Sequence, residues 1–468
     1  MERSASDTAA AAAIANLPLP PVNPLPLRRR ATALRNFHTG MDELREAGGP
    51  VTRFRLGPPL LTPTIVLATS PEAIRDILTV RDAAVDKTSV VLTELRRVMG
   101  ANLFNLPYRQ WVARRRTIQP VFTPQRVCAF AAHMSQAAED VAEGWSGGGD
   151  VDLDAEARRF TLDVLGSSVL GLGLGDRTVD ITGPLHEVLN YVADRALRPI
   201  RAPHWLPTPA RRRARAASAT LHDLARDILG RCRADPAVDA PLVRALMAAT
   251  DPDTGAALSD AEIADELIVF LFAGHDTTAT TLAYALWQLG RHPEMQERAA
   301  RETSALPVRA LRSDDVSALT YTTQVLKESL RLCPPGPTGT RLATRDVAVG
   351  GYRVPAGTML LFGRLTVQRD ASLWEKPLTF DPDRFAPDRL GDIGRYQYLP
   401  FGGGPRSCVG DHFAMLEMTI ALATILRSHR VESLRDDFPL AVPFTMVAAA
   451  PVPARVHPRS QGTPEKAA

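Results

Sequence analysis

Apolar positions recur with helical period along most of the chain, and strand-like runs are confined to a few places. The spacing predicts a helix over 31–47, closed by Gly48-Gly49-Pro50. Two short runs follow, Val51 to Leu56 and Pro63 to Ala68, and read as a small antiparallel sheet. Ser70-Pro71-Glu72 starts the next helix, which runs to about Thr79. Residues 82–107 have weak periodicity, and the helical pattern returns at Tyr108. Residues 127–233 read as several helices, interrupted mainly at Gly147-Gly148-Gly149 and between Pro203 and Pro209. Ser259-Asp260-Ala261-Glu262 is a capping box. The pattern it opens continues to Gly290, about 30 residues or ~45 Å at 1.5 Å per residue. From Leu267 to Ala273 that helix is apolar on every side, so its middle is expected to be buried all round. Tyr321 to Leu332 is helical and stops at Cys333-Pro334-Pro335. Val347 to Leu361 reads as strand pairs, and an apolar helix runs from His412 to about His429. The predicted fold class is mainly α with small antiparallel β-sheets.

Composition narrows this picture. The chain has 468 residues, 45% of them hydrophobic, enough for a substantial core. A net charge of +3 is too small to point to nucleic acid. Four cysteines, Cys128, Cys232, Cys333 and Cys408, fit neither a zinc site nor a disulfide scaffold and suggest a reducing compartment. The alanine run from Ala9 to Ala13 is far shorter than the ~20 apolar residues that span a bilayer. The reading is therefore a soluble, cytoplasmic protein with no membrane anchor. Residues 1–27 are expected to be a flexible or loosely packed proline-rich segment that can lie in extended form against the body. Residues 28–457 are expected to form a single domain, and 458–468 a disordered tail.

Several positions then call for a chemical explanation. Gly274 lies inside the long helix, where glycine costs about 1 kcal/mol relative to alanine. Asp276, two residues on, is a carboxylate in an apolar stretch and needs a partner. Trp111 and Arg115 share one helix face and are suitable donors to a carboxylate, though a basic surface helix explains them as well. Cys408 closes a glycine-dense loop just before a helix, where the dipole favours thiolate over thiol. Such a thiolate is a nucleophile or a metal ligand. No recognisable histidine pairing supports the nucleophile.

The loop resembles the cytochrome P-450 family, the haem-thiolate monooxygenases. Phe401, Gly404, Arg406, Cys408 and Gly410 fill its Phe-x-x-Gly-x-Arg-x-Cys-x-Gly pattern. Three further matches occur in the right order. Ala273-Gly274-His275-Asp276-Thr277-Thr278 matches Ala-Gly-x-Asp-Thr-Thr. Glu328-Ser329-Leu330-Arg331 matches Glu-x-x-Arg, and Pro382-Asp383-Arg384-Phe385 matches Pro-x-Arg-Phe. The likeness covers roughly residues 30 to 450. Pro107 and Gln368 depart from it, standing where glycine, and where asparagine or histidine, are frequent.

The resemblance implies the cytochrome P-450 fold and haem b, iron protoporphyrin IX, with Cys408 as axial ligand. It implies that Trp111, Arg115, Arg341 and Arg406 hold the propionates, with Ala273, Gly274, Phe401 and Gly410 beside the ring. Asp276 and Thr277 would deliver protons for dioxygen chemistry. Glu328, Arg331 and Arg384 would form a buried structural brace. Phe270, Thr338 and Phe444 would line a pocket for an apolar substrate such as a terpenoid, fatty acid or steroid. Electrons from NAD(P)H would come through a separate ferredoxin and ferredoxin reductase, or a flavin reductase. From charge alone, Arg109, Arg114 and Arg116 suit a docking face for an acidic ferredoxin. The rival readings are a haem-thiolate peroxygenase or isomerase without a redox partner, and a non-enzymatic haem-binding sensor. The intact Asp276-Thr277 pair argues against the first, and the lack of an evident output domain against the second.

Overall fold

The capping box closes as its sequence requires: Ser259 Oγ accepts the Glu262 amide at 3.3 Å, and the Glu262 carboxylate accepts the Ser259 amide at 2.9 Å. The helix it starts, Asp260–Arg291, is 32 residues long and forms the axis of the structure. The computed structural model describes residues 11–59, 62–80, 82–170, 181–198, 202–203 and 205–459. The segments 1–10 and 460–468, which include the start of the proline-rich region and nearly all of the expected tail, lie outside the described residues.

Helices Leu153–Leu165, Pro209–Ala234, Thr320–Leu332 and Asp411–Ser428 pack around the central one and bury its apolar middle. Leu267 and Ile268 are fully buried. Ala273 is an exception to the all-round burial that its apolar run predicts. It is accessible, and Gly274 and Thr277 are partly so, because this part of the helix faces an internal cavity.

The sheets are small. The largest has five strands in the order Val51–Phe54, Ile65–Ala68, Met359–Gly363, Thr338–Ala343, Val85–Asp86. Its first pair is antiparallel, as the sequence predicts. Ile65–Ala68 and Met359–Gly363 pair in parallel, a contact between segments almost three hundred residues apart that local pattern cannot reveal. The proline-rich segment runs extended beside Val51–Phe54. The Arg53 amide donates to Pro21 O at 2.8 Å, the Asn23 amide to Arg53 O at 2.8 Å, and Arg53 Nε to Pro20 O at 2.8 Å. Among the described residues no helix is long and apolar enough to cross a membrane.

Candidate active site

The cysteine loop is shaped by two left-handed glycines. Gly402 and Gly404 have φ of +73° and +69°. A Cβ on Gly404 would lie 2.0 Å from the Leu78 carbonyl oxygen, so only glycine fits there. The Cys408 amide donates to Phe401 O at 2.9 Å and closes the turn. The following helix begins at Asp411.

Cys408 opens onto a cavity of about 470 Å³. The opposite wall is Ala273, Gly274 and Thr277 of the long helix. Trp111, Arg115, Arg341, Phe401, Arg406 and Gly410 also line it. So do Phe270, Thr338 and Phe444. Almost every expected site residue therefore converges on one space. Phe104, Phe272 and Phe444 form an aromatic group on its wall, with ring centroids 5.8–6.5 Å apart.

Helix-terminal electrostatics do not dominate at Cys408. Burial raises its thiol above the usual value, against weaker opposition from the Gly410 amide and the charges of Arg115 and Arg364. A bound cationic metal would favour the thiolate here.

Basic residues gather along one edge of the cavity. Burial pushes Arg341 down to about 9 and Arg406 to about 10, and lowers Lys87 well below its ordinary range. Lys87 and Arg341 also suffer repulsion from neighbouring guanidiniums. Asp86, 2.9 Å from Arg406 Nη2, is the carboxylate that opposes this on both. Arg406 lies over Trp111, with its guanidinium carbon 4.7 Å from the ring centroid. A planar group with carboxylates on one edge and a metal at its centre fits this arrangement: cations without enough counter-charge at one side, an open thiol at another. Haem has that form. Lys87 and Arg364 are lining residues that the sequence reading missed. Both are cations near apolar runs, a signal that was present in the sequence.

Asp276 behaves differently from its neighbours. It is buried, does not line the cavity, and pairs with Arg158 Nη1 at 2.5 Å. His186 Nε2 lies 3.7 Å from its other oxygen. Burial alone would raise its carboxyl, but His186 and the Arg158 charge outweigh it and hold the carboxyl at about 2. A depressed carboxyl contributes stability above the unfolded value of 3.8 and loses it as pH falls through 2. Asp276→Asn is expected to cost about 2 kcal/mol at neutral pH. It should also flatten the stability profile in that acid window, as urea unfolding at several pH values would show.

His275, in the variable position of the motif, is buried with Nδ1 2.9 Å from Thr161 Oγ1. Burial lowers it to about 4, so it is a neutral packing residue. The Thr277 hydroxyl donates back to Ala273 O within its own helix. Thr278 instead meets Glu417, a buried carboxyl that desolvation raises well above its ordinary range. Glu417 sits in the apolar helix after Cys408 and was not singled out from the sequence.

Glu328, Arg331 and Arg384 come together as a buried ionic cluster. Glu328 receives Arg331 Nε at 2.7 Å and Nη2 at 2.8 Å, and Arg384 Nε lies 3.4 Å from it. Gln368 ties this unit to the cysteine loop. Its amide donates to Leu330 O and Arg331 O at 2.9 and 3.0 Å, and its oxygen accepts the Leu399 amide at 2.7 Å. The basic docking face is smaller than expected. Arg114 is buried against Glu266 and Glu262, and Arg116 pairs with Asp251 and Asp253, while Arg109 is exposed.

A family model described as Cytochrome P450 matches residues 18–457. Similar proteins include a pentalenene oxygenase of Streptomyces avermitilis, 32% identical over 82% of this chain and 85% of that one. A cyclooctat-9-en-7-ol 5-monooxygenase of Streptomyces melanosporofaciens is 32% identical over 82% and 83% of the two chains. Among solved structures, a cyanobacterial CYP120A1 with retinoic acid bound superposes with a TM-score of 0.81. It is 23% identical, over 95% of this chain and all of that one, a likeness that speaks for the fold.

Proposed function

Because the chain belongs to the cytochrome P450 family, we propose that it inserts one oxygen atom from dioxygen into a terpenoid. The observation that carries this is a cavity bounded by Cys408 on one side and by Gly274 and Thr277 on the other. The terpenoid substrate is supported by the two Streptomyces relatives, whose names describe oxidation of pentalenene and cyclooctat-9-en-7-ol. Phe270, Phe444 and Thr338 offer an apolar wall with one hydroxyl, which suits such a compound.

Haem held by a thiolate supplies the activation of dioxygen and the passage of electrons. The residues do the rest. Cys408 would ligate the iron, and Trp111, Arg115, Arg341 and Arg406 would hold the carboxylate edge. Gly274 would leave space in the cavity opposite the cysteine. The Thr277 hydroxyl lines the cavity and would turn from Ala273 O to hold a proton toward it. Asp276 does not line the cavity and is paired with Arg158, so a proton role for it would require that pair to open. Electrons come from a separate ferredoxin and reductase in the cytoplasm, a setting that free Cys232 and Cys333 favour.

Thr277→Ala is expected to slow dioxygen-driven product formation by about a hundredfold. Spectral binding of the substrate should stay within about twofold. The test of the whole proposal is a reconstituted assay with ferredoxin, reductase, NAD(P)H and a panel of terpenes, alongside the carbon monoxide difference spectrum. A spectrum without the thiolate-type Soret band would end it.

A further inference from the structure

His222 has a hydrogen-bond acceptor at each ring nitrogen. It stands on the helix Pro209–Ala234, which packs against the central helix. Its Nδ1 lies 2.8 Å from the Ser218 carbonyl oxygen, one turn back, and its Nε2 lies 3.2 Å from Asp265 Oδ1 on the central helix. A neutral imidazole has one N–H and serves only one of these acceptors. The Ser218 hydroxyl does not make good the difference, because it donates to Val98 O at 2.6 Å. The arrangement is therefore that of an imidazolium, which donates from both nitrogens. The Asp265 hydrogen bond is the largest influence on the ring and raises its pKa above the ordinary 6.5. Burial and the Arg226 charge oppose it, and the Ser218 carbonyl assists.

Asp265 also pins part of the cavity wall. Its other oxygen accepts the Ala101 amide at 2.7 Å. The carboxylate sits against Gly100, where φ is +73° and a Cβ would come 2.0 Å from Oδ1, so only glycine fits. Two residues on, the Leu103 amide donates to Glu266 Oε1 at 2.9 Å. Leu103 and Phe104 then enter the cavity lining. One ring thus connects the helix Pro209–Ala234, the central helix and the segment 100–104. Arg215, Arg226 and Asp260 line the cleft in which this ring and Asp265 meet. Arg226 is paired with Asp223 at 2.7 Å, and Asp260 with Arg233. On the helix Val90–Met99, Glu94 is taken by Arg97 and Arg195, both at 2.9 Å. Glu266 is held by Arg114.

We infer that His222 is a pH-operated latch on the cavity wall, fastened while the ring is protonated and released when it loses that proton. Protonated, it ties the helix Pro209–Ala234 to Asp265, and so to the segment that carries Leu103 and Phe104. Deprotonated, it turns a nitrogen lone pair toward a carboxylate or a carbonyl, and the tie becomes a repulsion. A pKa raised on folding gives stability that is whole below 6.5 and is lost as pH rises through the raised value. The inference takes from the monooxygenase reading only that substrate occupies this cavity. Access to the cavity then increases with pH.

The test is amide hydrogen exchange of peptides covering 98–106 in the full-length ferric holoenzyme, at about pH 6 and about pH 8.5, with intrinsic chemical rates divided out. Protection should be about tenfold lower at the higher pH, the loss of one charge-assisted hydrogen bond. His222→Gln keeps a donor but has no proton to lose, and should make protection equal at both pH values. Burial lifts Glu266 to about 7, so it titrates in the same range and needs its own control. Glu266→Gln should leave the wild-type response in place. Release of geranylgeraniol from the ferric protein, followed by stopped-flow absorbance, should quicken severalfold with pH in the wild type and not in His222→Gln. Protection that ignores pH in the wild type overturns the inference, whether or not the variants fold. So does a response that survives His222→Gln, or one that Glu266→Gln abolishes. Release that ignores pH while exchange responds overturns the link to access. The exchange does not depend on the thiolate band. A carbon monoxide spectrum without that band therefore defeats the monooxygenase reading and leaves the latch standing.

Discussion

Glu328→Ala is expected to destabilise the protein by roughly 3–5 kcal/mol, enough to consume much of the stability of an ordinary domain. The substitution leaves Arg331, which is fully buried, without its counter-charge. Two of the guanidinium's hydrogen bonds end on the lost carboxylate, and the Asp381 amide loses its acceptor at 3.0 Å. The remaining contacts of Arg331 Nη1, to Gln368 O at 2.8 Å and Pro377 O at 2.7 Å, cannot neutralise a charge. The damage should spread through Gln368 to Leu399 and so to the cysteine loop. Guanidinium chloride unfolding measures the first effect, and haem content after purification the second. A loss below about 1 kcal/mol, the level of exposed ion pairs, would mean that the brace is not structural.

Much of this was legible because the chain breaks local rules where it has work to do. Gly274 and Asp276 in a buried helix, Glu328 and Arg331 one turn apart, and glycines before Cys408 are all costly choices. The capping box and the Cys-Pro-Pro stop marked helix ends because their physics is local. What stayed hidden depends on distant partners. The parallel pairing of Ile65–Ala68 with Met359–Gly363 has no local signature. Arg158 and His186, which neutralise Asp276, come from two other helices. Gln368 looked like a departure from the expected residue. Its amide has both a donor and an acceptor, which is what a bridge from the brace to Leu399 requires. Arg114 read as surface charge because its partners, Glu262 and Glu266, lie about 150 residues later.

Cys408→Ser is expected to abolish dioxygen-driven turnover while leaving the fold almost untouched. The side chain faces the cavity, so the change removes no core packing. What it removes is the sulfur. An alkoxide is a harder ligand that does not donate electron density as thiolate does. The carbon monoxide complex should lose its thiolate band, and product should fall to background. Unfolding free energy should stay within about 1 kcal/mol of the wild type, as for a change that makes no cavity in a packed region. Retained product formation with the band absent would show that oxygen transfer does not depend on the cysteine.

The extended prolines beside Val51–Phe54 bear on how the protein behaves at high concentration. That strand is the end of the five-stranded sheet, and an open end is a template for joining another molecule's strand. Val22 bridges Arg53 from this segment, and Pro20, Pro21 and Pro24 around it have no N–H. The covered margin therefore offers another strand the Val22 donor but no run of donors. That poverty of N–H groups works against strand-to-strand aggregation.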